Sequence, residues 1–174
     1  MVEMDPEIAI QTERLVLRPW RADELGALHA LLSHPATMRH WPAPLSDDYI
    51  RDWHNWARQL WAERRLGRMA VERAADGLVI GDCGLVPMAL DGEPVTDLGY
   101  IIHADYQGLG YGVEAARAVL KYGHTIPGLD DIVCHMATDH VASQKVARAL
   151  GMVERCRFEN PKNAGKVHIV FALS

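Results

Sequence analysis

The run Gln107-Gly108-Leu109-Gly110-Tyr111-Gly112-Val113-Glu114 sets three glycines at alternate positions just ahead of a helix start, a pattern suited to an anion. Glycine adopts positive φ without steric cost, so several N–H groups can turn toward one point. A helix beginning there adds its unsatisfied first-turn amides and the positive end of its dipole. At about 1.5–3 kcal/mol per charge-assisted hydrogen bond, three or four amides would hold a pyrophosphate without Lys or Arg. Other anion loops fit less well. A P-loop ends in Gly-Lys-Ser/Thr and this turn has no Lys, while a Rossmann fingerprint needs glycine where Val113 stands. The nine histidines contain no His-Glu-x-x-His and the three cysteines no Cys-x-x-Cys, so no metal site is expected.

The elements that must position this turn follow from pattern. Leu15 and Leu17 alternate with Arg14 and Arg18 as a first strand. Asp23 opens a helix with Leu25, Leu28 and Leu32 on one face, and Ser46 caps a second carrying Tyr49, Trp53, Trp56, Leu60 and Trp61. Strand-like runs at 68–73, 78–86 and 95–103, separated by Asp76-Gly77 and Asp91-Gly92, predict an antiparallel meander. Beyond the glycine turn come a helix over 113–122 and a buried strand over 131–136. A helix capped by Asp139 and stopped by Gly151 follows, with two closing strands around Asn160-Pro161. Gly99, inside the third meander strand, predicts a bulge that splays its neighbours. The order β-α-α-β-β-β-α-β-α-β-β implies an α/β (α+β) fold: a mostly antiparallel sheet of about seven strands with about four helices.

The 174 residues read as a single domain over 1–174, able to bury about 70% of the surface its unfolded chain exposes. A net charge of -5 and the lack of a Lys/Arg cluster argue against nucleic acid. The longest apolar run, 77–90, is broken by Asp82 and Pro87, so no membrane span is expected. Residues 1–10 carry Glu3, Asp5 and Glu7 without an apolar core, which predicts no signal peptide and a cytoplasmic protein. Cys83, Cys134 and Cys156 sit in apolar runs as small hydrophobes.

Element order and motif together resemble the GNAT superfamily of acyl-CoA-dependent N-acetyltransferases over nearly the whole chain. Gln107, Gly110 and Gly112 fit its Q/R-x-x-G-x-G/A loop for the acetyl-CoA pyrophosphate. Thr12-Glu13-Arg14-Leu15-Val16-Leu17-Arg18 resembles the opening strand of the branch containing ribosomal-protein N-terminal acetyltransferases. His140-Val141-Ala142-Ser143 and Ala149-Leu150-Gly151-Met152 resemble its N-x-x-S motif and closing Leu-Gly-Phe. The resemblance implies acetyl-CoA as cosubstrate. Its pantetheine would lie in a V-shaped splay against the backbone of Tyr100, Ile101 and Ile102. Its diphosphate would meet Gln107, Gly108, Leu109, Gly110, Tyr111 and Gly112, with His140 and Ser143 as further contacts.

Acetyl transfer to an amine needs a neutral nitrogen and a proton for the departing thiolate. A lysine-like amine with pKa about 10.4 is roughly one part in a thousand neutral near pH 7, whereas an α-amine near 7.7–8.0 falls short by only about 1 kcal/mol. By the resemblance Asp97 stands where the branch commonly carries Glu. It is the candidate base, acting directly or through water, or else a solvated strand-edge carboxylate. Ser143 is the candidate donor to sulfur, or a cofactor contact. His140 takes the usual Asn position with an open role. Tyr106 and Tyr111 either cover the cofactor or pack against the sheet. The two-helix insertion shapes the acceptor side in resembled proteins, which nominates Trp41, Met38 and His40 as substrate contacts, while Trp53 and Trp56 are expected in the core. The expected partner is an amine, either a small molecule or a protein N-terminus, with monomer and homodimer both open. A non-catalytic acyl-CoA sensor is the alternative.

Overall fold

The computed structural model describes residues 10–174; the signal-peptide reading of the first residues falls mainly on 1–9, outside the described part. The chain runs β1 (Ile10–Gln11), β2 (Leu15–Pro19), α1 (Leu25–Leu32), α2 (Asp47–Arg64), β3 (Gly67–Arg73), β4 (Leu78–Leu90) and β5 (Glu93–Ile102). It continues through a 3-10 turn at Ala104–Tyr106, α3 (Tyr111–Gly123), β6 (Ile132–Ala137), α4 (Val141–Ala149) and β7 (Val153–Asn160), then a second 3-10 turn at Pro161–Asn163 and β8 (Lys166–Ala172). The sheet has eight strands in the order β1-β2-β3-β4-β5-β6-β8-β7, one more than expected because of the two-residue β1. Every neighbouring pair is antiparallel except β5 with β6.

Local chemistry sets these elements. Asp91 and Gly92 both take positive φ, 51° and 81°, and close the β4–β5 hairpin in a two-residue turn between Leu90 and Glu93. Ser46 accepts a hydrogen bond from the Tyr49 amide and caps α2. Asp23, expected to open α1, is exposed. Glu24 precedes the helix instead and accepts from Nη2 and Nη1 of Arg18, at 2.7 and 2.8 Å. Met69 and Val71 join a core packed against α3, whereas Ala70 between them joins a second core with α1 and the first half of α2. Both sheet faces are covered there, which is why this stretch of β3 reads as uninterrupted apolar sequence.

Strands β5 and β6 pair only at Thr96↔Ile132 and Asp97↔Val133, after which they separate. The expected bulge at Gly99 is not the cause, since β4 and β5 stay in register without interruption from Gly81↔Ile102 to Leu90↔Glu93. Gly99 answers a packing demand instead. A Cβ there would lie 1.5 Å from Nη1 of Arg68, whose guanidinium crosses the strand at that point. Its cross-strand partner Gly84 is tighter still, because a Cβ would meet the Gly67 carbonyl oxygen at 1.9 Å.

Backbone cannot move aside as a flexible side chain can, so Gly84→Ala should destabilise the protein by about 3 kcal/mol. Gly26→Ala, on open helix surface with nothing within 4 Å, should instead gain about 0.5 kcal/mol. Denaturant midpoints measure both, and equal stabilities for the two variants would contradict the packing.

Candidate active site

The glycine turn is open toward solvent and held from behind. Gly108 and Gly110 have φ of 77° and 85°, and Gly110 is the residue from which α3 begins. Among the described residues, no amide from Gly108 to Val113 donates to a protein acceptor; the first helical bond of α3 is from Glu114 to the Gly110 carbonyl. These donors surround a helix mouth, an arrangement that fits a diphosphate. Behind them Glu114 accepts from the Thr12 hydroxyl at 2.6 Å, the Arg14 amide at 2.9 Å and Arg14 Nε at 2.7 Å. Burial pushes the Glu114 carboxyl up, but these bonds and the Arg14 charge outweigh it and hold it below the usual range. Arg14 also donates to the Leu109 carbonyl and lies over the Tyr111 ring, so the opening strand motif braces the turn. Tyr111 packs into the core and offers the turn only its amide. The Gln107 side chain is spent on the Ile102 carbonyl at 2.8 Å, which ties the turn to the end of β5.

Below the turn lies the gap between β5 and β6. The Thr96 amide points across it to Asp131, and strand alternation then directs the main-chain groups of Leu98, Tyr100 and Ile102 the same way. Ile101, also expected to bind here through its backbone, turns its carbonyl toward Gly81 of β4. Across the gap stands the start of α4. His140 caps this helix, with Nδ1 accepting from the Ser143 amide at 3.3 Å; Asp139, expected as the cap, pairs with Lys166 instead. The His140 ring stacks on His40 at 3.7 Å, and burial together with His40 and Arg39 depresses it to about 4, so it is neutral. The Ser143 hydroxyl donates to the Tyr100 hydroxyl at 3.2 Å, and Tyr100 donates to the Ser143 carbonyl at 2.8 Å. Burial holds the Tyr100 phenol well above its ordinary range.

Asp97 sits at the crotch, on the last residue of β5 paired with β6. Burial raises its carboxyl, opposed by the positive character of His135 and Arg68. Its Oδ1 is sealed from solvent with no hydrogen-bond partner and lies 3.8 Å from His135 Nε2. His135 Nδ1 is 2.9 Å from His168 Nδ1, and His168 Nε2 is 2.9 Å from Asn163 Nδ2. Sequence reasoning missed this cluster. The available signal was a lone histidine inside each of two apolar strands, Cys134-His135-Met136 and Val167-His168-Ile169, but pattern does not reveal that the two pair across the sheet. Among the described residues no group of three or more His, Cys, Asp or Glu side chains could hold a metal ion.

One cavity of about 780 Å³ joins the glycine turn, the gap, Asp97 and the tryptophans Trp41, Trp53 and Trp56, a size suited to a small ligand. His40 and Trp41 line it as expected, but Met38 does not: it is 1% exposed inside the α1–α2 core. The insertion that nominated Met38 as a substrate contact uses it for core packing. Trp56, expected in the core, is 45% exposed and lines the cavity with Trp53. Arg68, which the sequence gave no reason to select, contributes a buried guanidinium that pairs with Asp82 and lies 5.3 Å from the Trp53 ring.

Residues 14–153 match the Acetyltransferase (GNAT) domain family. The chain belongs to the GNAT acetyltransferase family. It is 27% identical to the uncharacterized protein YkkB of Bacillus subtilis over 86% of this chain and 87% of that one. A putative ribosomal-protein-serine acetyltransferase from Vibrio cholerae superposes with a TM-score of 0.77 at 25% identity, covering 98% of this chain and 99% of that one. The ribosomal L7/L12 α-N-protein acetyltransferase RimL, in complex with coenzyme A, shares the fold at 15% identity with a TM-score of 0.77 over 95% and 97% of the chains. This GNAT enzyme is therefore an acetyltransferase.

Two of the acetyltransferase's histidines, His140 and His168, are each depressed by burial to about 4. A group with its folded pKa below its unfolded value near 6.5 contributes stability that is full above 6.5 and is lost as pH falls toward 4. The denaturation midpoint should drop between about pH 7 and about pH 4.5. His140→Asn keeps a capping side chain but removes one titration, so its drop should be smaller. An identical drop in the variant would contradict the assignment.

Proposed function

We propose that this enzyme moves the acetyl group of acetyl-CoA to a primary amine by direct attack in a ternary complex. One observation carries the proposal: a single cavity connects unpartnered amides at a helix mouth to a buried carboxylate and a tryptophan-rich acceptor side. Two proteins of the same fold, RimL in complex with coenzyme A and the microcin C7 self-immunity acetyltransferase MccE in complex with acetyl-CoA and AMP, support the choice of donor. Acetyl-CoA would supply the acetyl group and a thiolate leaving group. The amides of residues 108–113 would hold its diphosphate, and the Tyr100 and Ile102 backbone its pantetheine arm.

Asp97 accepts the proton of the attacking amine. Its raised pKa makes it a stronger base than an ordinary carboxylate, and activity is lost as pH falls through that value. Ser143 donates a hydrogen bond to the departing thiolate and keeps its proton. Its present bond to Tyr100, at 3.2 Å, is longer than the usual 2.7–2.8 Å of a hydroxyl pair and is readily exchanged. A cysteine acyl-enzyme has no support, because burial pushes the thiols of Cys83 and Cys134 up to about 12. Trp41, Trp53 and Trp56 suit an apolar or cationic group on the acceptor, whether a small amine or a protein N-terminus. Residues 1–174 would act as one domain in the cytoplasm, as monomer or homodimer, without nucleic acid or membrane. Among the described residues no helix is long and apolar enough to cross a membrane.

Thiol release from acetyl-CoA over a panel of α-amino peptides, polyamines and aminoglycosides tests the reaction. Asp97→Asn should lower turnover about 10²–10⁴-fold while coenzyme A affinity by calorimetry stays within about twofold. Unchanged turnover would remove Asp97 from the mechanism. Binding without release for any amine would favour the sensor.

A further inference from the structure

The hydrogen bonds behind Asp97 run in one consistent direction. Asn163 Nδ2 donates to the His40 carbonyl at 3.3 Å, and a carbonyl only accepts, so the NH₂ group of Asn163 must occupy that side. The same nitrogen is 2.9 Å from His168 Nε2, which therefore accepts, and neutral His168 carries its proton on Nδ1. That proton points at His135 Nδ1, also 2.9 Å away, so His135 accepts there and carries its own proton on Nε2. Nε2 is the atom that faces Asp97 Oδ1. Reversing the order would require turning Asn163 over and setting its oxygen against the His40 oxygen.

We propose that Asn163, His168 and His135 form a one-way hydrogen-bond chain ending on Asp97, and that His135 is a positioning residue holding this carboxylate ionised and aimed at the amine. The inference rests on Asp97 being the base. The present 3.8 Å separation is too long for a hydrogen bond, and an approach of roughly 0.8 Å makes it one. Phe158 packs edge-on against His135, with ring centroids 5.3 Å apart, and lies 5.7 Å from His168, which limits how far either ring turns.

The other groups acting on Asp97 do not substitute for His135. Arg68 of β3 contributes its charge but is committed to Asp82, and the Cys134 thiol of β6, pushed up to about 12, is neutral. His168 is held neutral, depressed to about 4 chiefly by burial, so it does not become a double donor near neutral pH. The chain also restricts where the proton goes. His135 presents a filled Nε2, so a proton taken by Asp97 cannot pass along the histidines and must leave through the cavity.

Histidine 1H–15N correlation spectra of the full protein, with neither acetyl-CoA nor an acceptor present, test the direction. They should place the His135 proton on Nε2 and the His168 proton on Nδ1, and the opposite pair would overturn the proposal. Carboxyl 13C titration should show His135→Ala raising the Asp97 midpoint by at least about one pH unit, a tenfold gain in proton affinity. His135→Gln, whose amide can still donate, should recover most of that shift. Asn163→Ala should leave both histidines in mixed tautomers. An unmoved Asp97 midpoint in a folded His135→Ala protein, or fixed tautomers in Asn163→Ala, would also overturn it. These readouts need no turnover, so their failure is separable from loss of the transferase assignment.

Discussion

The site depends on the early parting of β5 and β6. Two residue pairs hold the strands together, the last at Asp97↔Val133, and then β6 commits its other edge to β8. An unpaired edge inside a sheet is normally a liability, because each main-chain group left without a partner there costs about 1–3 kcal/mol. Here the open edge faces a cavity that also reaches the mouth of α3 and the start of α4. The parting thus provides a strand-like slot, a ring of free amides above it and a carboxylate at its closed end.

Electrostatics divides the cavity. At the cofactor end no side-chain cation is needed, since the positive potential comes from main-chain amides and a helix dipole, and Glu114 is kept occupied by Thr12 and Arg14 behind the turn. At the acceptor end the buried Arg68–Asp82 pair, with Trp20 also donating to Asp82, cancels its own charge, and His140 and His168 are neutral. Asp97 is the buried carboxyl that remains, with His135 and Arg68 opposing the effect of its burial. In the proposed reaction an ionised Asp97 would attract an ammonium, and burial makes it a stronger base than a surface aspartate.

The alternation in β2, the Asp91-Gly92 turn and the Ser46 cap are local signals, and the fold they specify was legible in the sequence along with the glycine turn. What escaped depends on contacts between distant residues. Gly99 reads as a bulge in isolation and becomes a packing glycine only when Arg68 crosses it. Asp139 is a better cap than His140 by residue type, yet Lys166 claims it from another element. Trp56 reached the cavity wall because helical spacing gives a face and not its partner, and Met38, in the link between α1 and α2, turned into their core. The alignment of Asp97, His135, His168 and Asn163 draws on β5, β6, β8 and the turn before β8, which no local pattern connects.

Amide 1H–15N spectra recorded during a coenzyme A titration test the cradle most directly. The account predicts that the resonances of Gly108, Leu109, Gly110, Tyr111, Gly112 and Val113 shift downfield together as the diphosphate engages their N–H groups, with smaller changes at Tyr100 and Ile102. Saturable binding that leaves those six amides unmoved would contradict it.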